Sequence, residues 1–164
     1  MVNIIPESGM VFVADNTFHI EESSLYTDIG EGVRTVEFIR VKNGHLLFVE
    51  AKTSFPNPDN SSPDNLVVFQ SEIDEICEKF IHSLNLLSSV EVGVADDVYT
   101  DDFTMPEKVS LVFVLVIKDH ELKWCRPVKK KLEDALPPYL RTIWKPTVYV
   151  INHATAISRN LAIG

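Results

Sequence analysis

Cysteine is nearly missing. Cys77 and Cys125 are the only two in 164 residues, far apart and with no CxxC partner. That excludes a disulfide framework and a thiolate zinc site. Long apolar runs are missing too: none approaches the ~18–20 residues of a membrane span. The first ten residues, MVNIIPESGM, have no basic start and no long apolar centre, so no signal peptide is expected and the cytoplasm is the economical location. There is no phosphate-cradling glycine loop, no dinucleotide fingerprint and no Ser/His/Asp or Cys/His arrangement. His45 and His153 have no evident partners.

Basic residues are scarce over most of the chain. Residues 1–107 hold 20 acids and 5 bases, whereas residues 108–164 hold 4 acids and 10 bases, for a net charge of −9. Such an acidic chain is a poor non-specific nucleic-acid binder, because phosphates must be neutralised by Lys and Arg. Lys123, Arg126, Lys129, Lys130 and Lys131 form a local basic run. It reads either as a solvated helix face or as a patch that contacts a nucleic-acid backbone. What remains is ordinary: apolar content is 45%, and the length fits a single domain over 1–164. Homo-oligomerisation is left open.

Glycine is scarce as well, at six residues, which makes Asn43-Gly44 conspicuous. It sits between two runs rich in Val, Ile and Phe, from Val33 to Thr53. An Asn-Gly pair so placed is the strongest short-range hairpin signal, since a type I′ turn needs positive φ at both central residues. The turn fixes the register. Lys42 faces His45, Val41 faces Leu46 and Ile39 faces Phe48. Further out Glu37 faces Glu50, and then Thr35 faces Lys52. Directly opposed side chains have Cβ atoms about 4.5–5.5 Å apart, and like charges there destabilise a sheet. A divalent cation, a shared proton or Lys52, on the same face as Glu50, would offset the repulsion. Acids that simply point into water are the alternative.

Elsewhere, Met10–Ala14 reads as a strand and Asp15–Thr17 as a turn. Residues 17–25 fit either a second strand or a short helix, and 28–32 a glycine-broken loop. The proline-rich stretch 53–63 is an irregular loop, either one wall of a site or a plain linker. Ser62-Pro63 starts a helix to about Leu87. Leu66, Phe69, Ile73, Ile76, Phe80, Leu84 and Leu87 form its apolar stripe, and most of its acids lie opposite. Gln70 falls on the apolar side, and His82 at its margin. Residues 90–98 are a short strand or irregular. The acidic run Asp96, Asp97, Asp101, Asp102 lacks the glycine and terminal Glu of a calcium loop and reads as solvated. Val109–Ile117 is the central strand, buried on both faces. A helix then runs from Arg126-Pro127 to Leu136, stopped by Pro137-Pro138, with Val128, Leu132, Ala135 and Leu136 buried. Thr147–Ile151 is a final strand, and 152–164 a short helix or an interface piece. Together these give an α/β fold, three-layer α/β/α with a central mixed sheet.

The sequence of Glu37, Glu50-Ala51-Lys52, a helix and a buried strand resembles the PD-(D/E)xK, or restriction-endonuclease-like, nuclease superfamily over about residues 34–118. The resemblance implies a restriction-endonuclease-like fold that hydrolyses phosphodiester bonds in nucleic acid. It implies that Glu37 and Glu50 bind Mg²⁺ or Mn²⁺, with the Ala51 carbonyl completing the coordination. Lys52 would assist the attacking water. Gln70 occupies the place of a helix glutamine found in some branches. Glu21, Glu22 or Glu31 would supply a further acid. The chain departs from the pattern in using Glu rather than Asp, in Val-Glu-Phe rather than after Pro, and in having at most a short preceding helix. Two alternatives stand beside this: a catalytically inactive domain of the same fold used for protein contacts or assembly, and a small α/β interaction module with no site.

Overall fold

A computed structural model describes residues 2–96, 99–100 and 102–164. Asp97 and Asp101 of the acidic run, and Val98 of the segment before it, lie outside the described residues. The strands are β1 (Ile4–Glu7), β2 (Met10–Val13), β3 (Thr17–Phe18), β4 (Phe38–Lys42), β5 (His45–Lys52), β6 (Ser110–Ile117), β7 (Thr147–Asn152) and β8 (Ala162–Ile163). The helices are α1 (Ser24–Thr27), α2 (Pro63–Glu91), α3 (Leu122–Ala135) and α4 (His153–Ser158), with a 3-10 turn at Ile20–Glu22 and a π-helical turn at Leu140–Trp144. Residues 17–25 are thus strand, 3-10 turn and helix in succession. No helix among the described residues is long and apolar enough to cross a membrane.

The main sheet has five strands in the order β3-β4-β5-β6-β7. Its first three are antiparallel and its last three parallel. The hairpin has the expected register: Ile39 faces Phe48, Val41 faces Leu46 and Lys42 faces His45. Asn43 and Gly44 have φ of 51° and 77°, as a primed turn requires. The ladder stops earlier than expected, at Phe38–Val49. Glu37 still donates its backbone N–H to Val49 O at 3.0 Å. The N–H of Val36 turns away to Ser83 Oγ on α2, so neither Glu37 and Glu50 nor Thr35 and Lys52 are a ladder pair. β6 is buried on both faces, but it lies between β5 and β7; the centre of the sheet is β5.

The two long helices lie on the same face, and the opposite face carries, among the described residues, only the short helix α4 beside a second sheet. α2 and α3 lie on one face and share one core. Phe69, Ile73, Ile76 and Phe80 of α2 and Cys125, Val128 and Leu132 of α3 pack there against Ile39, Phe48, Phe113 and Leu115 of the sheet. The opposite face carries Phe38, Val49, Val112 and Val114 under Ile5, Met10, Phe12, Ala156 and Ala162. Those come from α4 and from a second, three-stranded sheet, β1-β2-β8. The parallel strands explain this. They are added in one direction, β5 to β6 to β7, and successive crossovers of the same hand then fall on the same face. The C-terminal tail closes the other layer by pairing β8 with β2.

Helix α2 begins as expected, with Ser62 Oγ accepting from Asn65 N. It ends a turn later than expected, at Glu91, before Gly93 at φ 79°, a residue suited to the left-handed cap. Its stripe is buried from Phe69 on, while Leu66 and Gln70 are exposed. A helix of 29 residues is about 43 Å long, while a strand of eight residues is about 27 Å. The first turns therefore overhang the sheet. α3 starts at Leu122, earlier than expected, because buried Cys125 belongs to its stripe; Pro127 lies inside it and forgoes one backbone bond.

Candidate functional site

The end of the β4–β5 hairpin far from its turn gathers charge. Glu37 and Glu50 are both buried there, and burial is the first reason both hold their protons more tightly than usual. Glu37 is pushed up to about 10 by burial, then by a hydrogen bond with the Glu21 carboxyl and by the charges of Glu50, Glu21 and Glu7. Glu50 is pushed up only to about 7, because the ammonium of Lys79 opposes its burial. One oxygen of each, Glu37 Oε2 and Glu50 Oε2, is buried with no hydrogen-bond partner.

Glu50 and Lys79 form a 2.6 Å ion pair, with side chains 1% and 16% exposed. Lys79 is pushed upward despite its burial, by Glu50 first. Lys52, one of the expected site residues, lies at 3.3 Å from Glu72 and 3.4 Å from Glu75, both on α2. These acids therefore face the hairpin, not the opposite side of the helix. Arg34 extends the network to Glu75 and Glu78, and its N–H donates to His82 Nδ1.

On the other side of Glu37 stand Glu21 and Glu7. One carboxylate oxygen from each of the three lies within 4.8 Å of the others, a grouping able to hold a metal ion. Of the three upstream acids, Glu21 is the one whose carboxylate comes to Glu37; Glu22 is exposed and pairs with His19, and Glu31 is exposed. Glu7 ends β1 and enters by the Ser8–Gly9 turn, whose φ values are 50° and 72°. That turn is tied to the hairpin: Ser8 Oγ donates to Ala51 O at 3.1 Å, and Thr53 Oγ1 donates to Ser8 O. The Ala51 carbonyl, expected as a metal ligand, is engaged by that hydroxyl.

Gln70 is not brought to the site. It is exposed on the overhanging part of α2 and donates to Asp74 at 2.8 Å. The loop after Lys52 is more than a linker. Phe55 packs on Phe69 and His120, and Trp124 Nε1 donates to Asp59 Oδ2, binding the loop to the start of α3. The basic run follows on that helix. Lys123, Arg126, Lys129 and Lys130, with Arg141, line a surface groove that also holds Glu133 and Asp134.

Sequence reasoning missed Glu7 and Lys79. Lys79 had a signal: it is the only Lys or Arg on α2, seven residues after Glu72, hence on the same side of the helix. Glu7 had none, since its approach depends on a contact between distant segments. No family model, curated protein or solved structure matches the chain.

Proposed function

We propose that this chain is a metal-dependent, nuclease-like hydrolase of phosphodiester bonds, working in the cytoplasm on nucleic acid. The observation that carries this reading is the buried, unpartnered Oε2 of Glu37, set among other carboxylates and beside Glu50 and Lys52. The donor set is all oxygen and anionic, which suits a hard cation such as Mg²⁺ or Mn²⁺. Such an ion, when bound, polarises a phosphoryl oxygen and acidifies a water. The chain supplies the rest. Glu37 and its neighbouring carboxylates hold the ion. Lys52, 22% exposed and paired with two acids on α2, is placed to swing toward charge developing on the phosphoryl group. The groove along α3 offers Lys123, Arg126, Lys129 and Lys130 to the backbone, with Lys131 exposed beside it.

The test is cleavage of single-stranded, duplex and branched substrates with Mg²⁺ or Mn²⁺. Cleavage by the wild type, lost in Glu37→Gln and reduced at least about 100-fold in Lys52→Met, supports the reading. A second reading has its own observation: Lys79 already neutralises Glu50, as it would in an inactive domain used for assembly. Metal binding without cleavage of any substrate favours that reading.

A further inference from the structure

Of the two acids at the end of the hairpin, only Glu37 belongs to the group of carboxylates placed to share an ion. We infer that the cation site consists of Glu7, Glu21 and Glu37, and that Glu50 is no ligand but the structural counter-ion of Lys79. This rests on the reading that the site takes a divalent cation. Its geometry is the three-carboxylate cluster, with one oxygen of each within 4.8 Å of the others. Oxygens around one Mg²⁺ lie at most about 4.2 Å apart, and around one Ca²⁺ at most about 5 Å. The cluster is therefore of a size that one hard cation of this kind can bridge.

Charge points the same way. Among the described residues none of Glu7, Glu21 and Glu37 has an ion-pair partner. Three of the cations nearby are engaged elsewhere, Lys79 with Glu50, Lys52 with Glu72 and Glu75, and Arg34 with Glu75 and Glu78, while Lys118 Nζ lies against Gly9 and forms no ion pair with the three acids. A separate observation is the Oε2 of Glu37. It is buried and lacks a partner, on a residue only 5% exposed, and buried polar atoms otherwise find partners; Glu50 Oε2 is unpartnered too, but the charge of that carboxylate is already met by Lys79 on its other oxygen. Glu7 is delivered deliberately. Its Oε1 accepts from Ser8 N, and Ser8 is pinned to Ala51. Glu7 and Glu21 are only half-buried, which leaves a way in for the ion and its waters.

Calorimetric titration of Mn²⁺ and of Ca²⁺ into the metal-free full chain tests this. One binding site is expected. Glu7→Gln and Glu21→Gln should each weaken it at least about tenfold, since affinity follows ligand charge. The double variant Glu50→Gln/Lys79→Met should stay within about threefold of wild type. Without metal, the Glu7 and Glu21 variants should melt at or above wild type, which shows that they fold. If the double variant loses the ion while Glu7→Gln binds normally, the ion lies between the hairpin acids. The inference then fails while the proposed function stands. If the wild type shows neither heat nor a melting shift with either ion, both fail.

Discussion

Lys79 donates a 2.6 Å hydrogen bond to Oε1 of Glu50, joining the middle of α2 to β5 directly beside the carboxylate cluster. Removing one partner of a buried pair leaves the other charge uncompensated. Lys79→Met should therefore cost about 3 kcal/mol or more, within the ~3–5 kcal/mol range for such breaks. Adding Glu50→Gln should recover most of the loss. Urea denaturation of the two variants checks this; equal destabilisation by both would show that Lys79 matters for packing and not for charge.

The metal-free protein should lose stability as pH rises. Glu37 binds its proton in the folded state up to about pH 10, against 4.5 for an ordinary Glu, so between these values the folded state holds more protons than the unfolded one. Stability then falls with rising pH. Glu50 adds to the fall between 4.5 and about 7. The difference in urea midpoint between Glu37→Gln and wild type should grow in favour of the variant across this window. A difference that is flat with pH would mean that Glu37 is ionised in the fold.

Ser83 is wholly buried, and its Oγ accepts the N–H of Val36 at 2.9 Å. Ser83→Ala leaves that N–H unpaired, at a cost of about 1–3 kcal/mol. Because Val36 precedes Glu37, the cation-induced melting shift should also shrink. A thermal melt with and without Mn²⁺ reads both effects.

Gln70→Ala should change nothing beyond about 0.5 kcal/mol, since the side chain is exposed and bonds only Asp74 among the described residues. Cation binding and any nucleic-acid cleavage should be unaffected. A loss of cleavage would restore Gln70 to the site.

The hairpin was legible because Asn43-Gly44 dictates both turn and register, so the meeting of Glu37 with Glu50 follows from local chemistry alone. The buried character of β6 and the start of α2 were legible for the same reason: strand composition and the Ser62-Pro63 cap are local signals. The second layer was not. Its strands are short, and β8 has two residues, too few for any periodicity. Gln70 was misplaced because helical spacing gives the side of a helix and not how far it overhangs its sheet. Glu7 comes to the site through a Ser8 hydroxyl bonded to Ala51 across 43 positions, a relation no window of sequence contains. Nothing local distinguishes Glu21 from Glu22 or Glu31; only the folded chain brings its carboxylate to Glu37.

The central claim, that Glu37 and its neighbours form a cation site, is tested most directly by the melting temperature of the full chain at pH 7.5 with and without Mn²⁺. At a hundred times the dissociation constant a single bound ion stabilises by about 2.7 kcal/mol, or about 5–10 °C for a chain of this size. That rise is expected for wild type and none for Glu37→Gln. An unchanged wild-type melting temperature in millimolar Mn²⁺, or an equal rise in Glu37→Gln, would contradict it.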